Sequence, residues 1–316
     1  MPYSLFSFKS SDDRELKAYV WPVENPIAIL QLVHGMMEYS ARYNHFAEWL
    51  AERGIAVYSC DHSGHGLSAS SPEDLGYFDR RGGWKKVVRD VRDFTSLIKT
   101  KNPGLPVFLL GHSMGSILAR DYMIRFGPEV DGYILSGTLE QPCLIGYFGI
   151  ALAECLQFIK GPKHRGRIFT NLGYGRYNSS FKPVRTDFDW LCSDPEIVDR
   201  YISDPLCGKP STVSFYKDFL KGSLFVGQMH NIRKILPQIP VLLFSGEQDP
   251  VGNFGRTVHQ VEWKFRRAGL INISVKIYPT GRHEMLNEKN REKVYEDVYN
   301  WISSVHKKIE PDTWID

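Results

Sequence analysis

Cysteine is scarce in this chain, and its spacing pairs nothing. Cys60, Cys143, Cys155, Cys192 and Cys207 form an odd set of five without a C-x-x-C couple. That argues against a disulfide framework and supplies no zinc-ligand pair. Neither sign of charge dominates: 39 Lys and Arg against 36 Asp and Glu leave a net charge of +3, too little for a nucleic-acid-binding surface. The opening residues lack a basic segment followed by an apolar one, so no secretory leader is expected and a reduced, cytoplasmic setting follows. Long hydrophobic runs are few. The longest, Cys143 to Ile159, is short for a bilayer and contains Glu154 and Gln157. No internal repeat or low-complexity segment stands out.

What is present suits a globular protein. With 316 residues, 42% hydrophobic and 24% charged, the chain can bury a large core as one domain or as one domain carrying an insertion. Tyr3–Phe8 and Leu16–Trp21 alternate in strand fashion around Ser11-Asp12-Asp13 and predict an antiparallel opening pair. Strands and helices then alternate. Continuous apolar runs at Ile27–Val33, Ile55–Cys60, Pro106–Leu110 and Gly132–Ser136 read as strands buried on both faces. A helix over Ala41–Arg53 ended by Gly54, and a helix carrying the stripe Trp84, Val87, Val88, Val91, Phe94, Leu97 and Ile98, fall between them. The alternation breaks between Leu139 and Leu236 and resumes with a strand at Val241–Phe244, a helix at Arg256–Ala268, a strand at Ile273–Tyr278 and a helix at Arg291–Val305. This order predicts a mostly parallel sheet covered by helices on both sides, interrupted by a cap.

The chemistry centres on Gly111-His112-Ser113-Met114-Gly115, a G-x-S-x-G between a buried strand and a helix. In that setting the pattern marks a nucleophile elbow: the turn is so tight that side chains at Gly111 and Gly115 would strike backbone. A serine hydroxyl needs a base, and the base needs an acid to orient it. The partners should follow in the order acid, then histidine. Asp249 lies just beyond Val241–Phe244, with Pro250 stiffening its exit and Glu247 as a competitor; His283 lies just beyond Ile273–Tyr278. The oxyanion hole requires two backbone amides. Met114 supplies one, and the loop His34-Gly35-Met36 supplies the other from Met36, with Gly35 expected to let that amide turn inward. His34 and His112 read as structural hydrogen-bonding residues. His62 and His65, in Asp61-His62-Ser63-Gly64-His65-Gly66, read as members of a glycine-rich loop that fixes its own backbone; no third metal ligand is implied.

Together these segments resemble the α/β-hydrolase fold and, within it, the monoacylglycerol lipase and lysophospholipase branch, also called serine-aminopeptidase-like hydrolases. The resemblance rests on His34-Gly35-x-x-Glu38 with Ser40, Arg42 and Tyr43, on Asp61-His62-x-Gly64-His65-Gly66-x-Ser68, on the elbow, on Gly246-x-x-Asp249, and on Gly281-Arg282-His283-Glu284-x-Leu286-Asn287-Glu288. It implies an eight-stranded, mostly parallel sheet, with core segments 1–138 and 237–316 around a cap at 139–236. It further implies a serine esterase that uses no cofactor and no metal, acting on acyl esters of glycerol or a lysophospholipid. Ser113, Asp249 and His283 are then the triad, and Met36 and Met114 the oxyanion donors. Glu38 and Arg42 either approach the polar headgroup or only brace their loop. Bulky Met36 and Met37, where these lipases have small residues, are expected to narrow the alcohol side of the pocket. The run Cys143–Ile159 falls in the cap and precedes Lys160, Lys163, Arg165 and Arg167. It is either a buried cap helix followed by a solvated loop or an apolar element resting on an anionic membrane. A transacylase, a general carboxylesterase for small esters, a peptidase and a non-catalytic ligand-binding protein are the alternatives.

Overall fold

A computed structural model describes residues 3–140 and 143–309. The chain opens with the antiparallel strands β1 (Ser4–Lys9) and β2 (Glu15–Trp21). There follow β3 (Ala28–Val33), α1 (Asn44–Ala51), β4 (Ile55–Cys60), α2 (Gly83–Lys101), β5 (Val107–His112), α3 (Met114–Phe126) and β6 (Gly132–Ser136). The excursion between β6 and β7 holds α4 (Cys143–Lys160), α5 (Arg167–Tyr177), α6 (Pro195–Ser203), α7 (Val213–Gly227) and the short α8 (Met229–Ile232). The chain then returns through β7 (Val241–Gly246), α9 (Arg256–Ala268), β8 (Ile273–Tyr278) and α10 (Arg291–Ile309).

The eight strands form one sheet in the order β1-β2-β4-β3-β5-β6-β7-β8, parallel from β4 onward. Every residue of β3, β5 and β7 is buried, because helices pack on both faces and leave no polar side. The outer strand β8 instead alternates, with Ser274 and Lys276 exposed, as a strand covered on one face should. After β3 the chain runs to β4 on one side and to β5 on the other. Beside such a reversal the loops leaving adjacent strands open a crevice. Val33 pairs with Gly111, so the loop after β3 and the elbow after β5 emerge side by side.

The helix expected over Ala41–Arg53 is divided. Ser40–Tyr43 form a 3₁₀ turn before α1 begins, with the Ser40 amide held by Asp61 Oδ1 at 2.9 Å.

The largest departure from expectation is α4. It is an 18-residue helix long and apolar enough to cross a membrane by length and composition, and only 11% of it is buried. A buried cap helix is thereby excluded. It lies flat on α7 through Gly146 and Gly149, where an added Cβ would come within 2.7 Å of Leu224 and of Leu220, and through buried Ala153. Its other face presents Leu144, Phe148 and Phe158, which are 85%, 74% and 91% exposed.

Both ends of the cap return to one point. Arg120, a buried residue of α3, donates to Leu139 O at 2.8 Å and Val226 O at 3.3 Å, and pairs with Glu140 Oε2 at 2.9 Å. Lys264 of α9 donates to the same carboxylate at 2.6 Å and to Gly227 O at 2.8 Å.

Candidate active site

Ser113 occupies the turn between β5 and α3 with φ 52° and ψ −117°. A non-glycine residue held there stores about 1–3 kcal/mol of strain. The turn closes because its flanks carry no side chain: a Cβ on Gly111 would lie 2.2 Å from Gly115 O, and one on Gly115 would lie 2.0 Å from Val33 O. The serine is the N-cap of α3 and its amide donates to Ser136 O at 2.9 Å. Met114, the first residue of that helix, has an amide without an intrahelical partner.

His283 Nδ1 stands 3.0 Å from Asp249 Oδ2, and both residues are buried. Asp249 also accepts from the Ser245 hydroxyl and the Val251 amide, each at 2.9 Å. Burial works to raise its pKa, but the charge and hydrogen bond of His283, with the bonds from Ser245 and Gly252, outweigh this and hold the acid below its usual range. His283 moves the other way. Burial disfavours its charged form, yet Asp249, followed by Glu284 and Glu38, raises its pKa above the ordinary value. Glu247, the competing acid, is exposed. The Trp190 ring packs against the imidazole at 5.4 Å between centroids and His112 at 4.8 Å. Gly137 leaves room for the ring: a Cβ there would lie 3.0 Å from His283 Cε1.

The loop after β3 is built differently from expectation. Gly35 is needed for space, since its Cβ would fall 2.5 Å from Glu38 Oε1, and the left-handed residue of the loop is Met37, at φ 60°. Met37 is buried, with its carbonyl accepting from Tyr201 Oη at 3.2 Å and the Gly208 amide at 3.0 Å. Met36, not Met37, lines the cavity and can narrow it. Glu38 lines it too, whereas Arg42 does not; Arg42 is committed to Glu38 and Glu284.

Four further histidines are structural. His34 Nδ1–H donates to Gly35 O at 2.8 Å, and its Nε2 accepts from the His62 amide at 3.0 Å. Although His34 lies against His62 and His65, these bonds occupy its ring, and no metal-holding group of His, Cys, Asp or Glu occurs among the described residues. Burial pushes His34 well below its ordinary pKa and brings His62 to about 3, His65 to about 4 and His112 to about 3. All are neutral at physiological pH. The glycine-rich loop braces the site from behind, with Asp61 accepting from the Ser40 and Leu67 amides and the Tyr19 hydroxyl.

Ser113, His283, Met36 and Met114 border a cavity of about 480 Å³ whose far wall is the cap, including Phe148 and Leu152 of α4, Phe169 of α5 and Phe219 of α7. The residues on either side of His283 clasp the cap. Arg282 reaches Asp189 O and Cys192 O at 2.5 and 3.1 Å, Glu288 accepts from the Ser193 amide and hydroxyl at 2.9 and 2.5 Å, and the Glu284 amide donates to Leu191 O at 2.8 Å. Trp190, Gly137, Ser245 and this clasp were not found by sequence reasoning. Only Arg282, Glu284 and Glu288 had a signal, as members of a motif without assigned contacts.

A strained serine and an acid-oriented histidine that line one cavity, at the strand ends of an eight-stranded α/β sheet, define the α/β-hydrolase class. Residues 24–290 match the model of the Hydrolase_4 family, described as serine aminopeptidase, S33, and the chain belongs to this family. It is 28% identical to a monoacylglycerol lipase of Mycolicibacterium smegmatis over 90% of this chain and 91% of that one. It is 24% identical to the phospholipase YtpA of Bacillus subtilis over 88% and 95%. A thermostable carboxyl esterase of Bacillus coagulans, solved in complex with glycerol, superposes with a TM-score of 0.89 at 28% identity, covering 97% of this chain and 99% of that one. The protein is an esterase- or lipase-like member of its family.

Proposed function

We propose that the protein hydrolyses monoacylglycerol-like carboxylic esters through an acyl-Ser113 intermediate. His283 accepts the Ser113 proton as Oγ attacks the acyl carbon and returns it to the departing alcohol. It then deprotonates the water that releases the acid, while Asp249 holds its tautomer. The amides of Met36 and Met114 receive the oxyanion.

One observation carries the choice of substrate. The cavity wall is apolar on the cap side, as an acyl chain requires, and no Lys or Arg is among the described residues that line it. Among the described residues, the acidic groups that line it are Glu38 and Glu284. Among the described lining residues a phosphate would meet no Lys or Arg and would lie beside Glu284, which Arg42 holds ionised, so a neutral alcohol such as glycerol is favoured over a phospho-headgroup. The M. smegmatis relative, named for monoacylglycerol, supports the same substrate class.

The exposed face of α4 supports a further part of this reading, contact with a lipid–water interface. Of the basic cluster behind it, Lys163 pairs with Asp74, and Arg165 donates to Glu73 O at 2.9 Å and Pro72 O at 3.2 Å. Lys160 and Arg167 of the same cluster are exposed, so the proposed contact sets the apolar face beside two solvent-facing cations.

A panel of 1-monoacylglycerols, a lysophosphatidylcholine and a short p-nitrophenyl ester, assayed on wild type and Ser113→Ala, tests the proposal. Highest kcat/KM on monoacylglycerol, lost in the variant, is expected. Preference for the phospholipid, or unchanged activity in the variant, overturns it.

A further inference from the structure

One buried charge cluster beside the site has no part in the mechanism so far. Arg42 Nη1 lies 2.7 Å from Glu38 Oε2 and 2.7 Å from Glu284 Oε1, and its Nη2 lies 2.7 Å from Glu284 Oε2. Asn287 Nδ2 donates to Glu284 at 3.0 Å, while the Gly35 amide and Tyr43 hydroxyl donate to Glu38 at 2.6 and 2.7 Å. The Tyr201 ring of α6 covers the guanidinium at 4.7 Å. One cation thus serves two buried carboxylates: burial and the neighbouring Glu284 raise the pKa of Glu38, while Arg42 holds Glu284 below the usual carboxylate range and so ionised.

Two loops could be tied together by packed apolar side chains at a smaller desolvation cost. Charge placed here, one residue from the base, acts on the reaction. The Arg42 fork joins the loop that carries the Met36 amide to the loop that carries His283, so it sets their separation. During acyl transfer His283 becomes an imidazolium, and a fixed carboxylate beside it stabilises that charge.

We propose that Arg42 and Glu284 are positioning residues for the reaction. Arg42 locks the oxyanion loop to the histidine loop, and Glu284 supplies fixed negative charge to the imidazolium formed at His283.

The charged and titratable groups acting on His283 are Asp249 from the β7 loop, Glu38 from the β3 loop, His112 at the end of β5, and Glu284 beside it. Burial and His283 itself keep His112 neutral. Asp249 is the orienting acid, so Glu284 is the adjustable charge. A lost carboxylate weakens the hold of His283 on its proton, and activity then persists to lower pH.

This rests on the serine mechanism but not on the natural ester. The rate at which a fluorophosphonate labels Ser113 is measured from pH 5 to 9 for wild type, Glu284→Gln and Arg42→Lys. An unlabelled wild type defeats the mechanism itself. With a labelled wild type, Glu284→Gln is expected to shift the acidic limb down by about one pH unit and to lower the plateau roughly tenfold. Arg42→Lys keeps the charge without the fork, so its plateau falls while the limb stays. An unmoved limb in folded Glu284→Gln, or a wild-type plateau in Arg42→Lys, overturns the inference. Should Glu284→Gln not fold, Glu284→Asp decides: a lowered plateau with an unmoved limb supports the inference, and a wild-type plateau overturns it.

Discussion

Asp249 Oδ2 sits 3.0 Å from His283 Nδ1, while Glu247, two residues earlier, faces solvent. The two acids differ in what surrounds them rather than in chemistry, and that difference separates the roles proposed for them. Asp249→Asn should lower kcat about 10⁴-fold by presenting the wrong tautomer to Ser113, with little change in melting temperature. Glu247→Gln should stay within twofold of wild type. Steady-state kinetics on a p-nitrophenyl ester reads both, and a reversed order would make Glu247 the acid.

Under the proposed mechanism, the raised pKa of His283 should set the acidic side of the rate profile. Below that pKa the imidazole is protonated and cannot accept the serine proton, so kcat/KM should fall tenfold per pH unit. The limb should lie above the ordinary histidine value of about 6.5. A profile flat down to pH 5 would remove His283 from the base role.

Stability has its own pH dependence. His62, His65 and His112 are depressed to about 3, about 4 and about 3, so between roughly pH 6.5 and 4 the unfolded chain takes up protons that the folded chain refuses. The contribution of these three is therefore full above about 6.5 and declines as pH falls, by up to about 1.4 kcal/mol per unit for each, against a smaller opposite contribution from the raised pKa of His283. Denaturant melts at pH 7, 6 and 5 measure this. Equal midpoints across that range would contradict the neutral cluster.

The exposed face of α4 gives a separable prediction. Leu144→Ser with Phe158→Ser alters two exposed side chains that do not line the cavity. Vesicle sedimentation should drop several-fold while turnover of a short soluble ester is unchanged. Because Lys163 and Arg165 are engaged with residues 72–75 while Lys160 and Arg167 are exposed, adding anionic lipid should strengthen binding of the wild type only modestly. Strong anionic selectivity would return that cluster to the surface role.

Gly137→Ala tests the space around the base. The glycine adopts φ 56°, and its new methyl would press on His283 Cε1 at 3.0 Å. A fall in kcat of at least tenfold with KM nearly unchanged is expected; wild-type kcat would show that the ring has slack.

The sheet was legible because burial on both faces writes itself as continuous apolar runs, as in Ala28–Val33 and Val107–Leu110. Ile27, apolar but 42% exposed, shows the limit of that signal at a strand end. Ser113, Asp249 and His283 could be found because each follows a strand, and strand ends collect at one edge. The cap could not be read in this way. Residues such as Gly146 and Gly149 matter only through Leu224 and Leu220 of another helix, and a stretch apolar all round does not say which face it buries. Arg42 was ambiguous for a similar reason: its partner Glu284 is 242 positions away, beyond any local pattern.

The guanidinium of Arg120 receives Leu139 and Glu140 as the cap begins and Val226 as α7 ends. The excursion thus leaves and rejoins the core at one neck, and the clasp at residues 189–193 holds it down a second time. Nothing in the strand order depends on what lies beyond that neck. A cap of another length or shape spliced at that neck would keep the sheet but would have to replace the Trp190 and Leu191 contacts that steady the His283 loop.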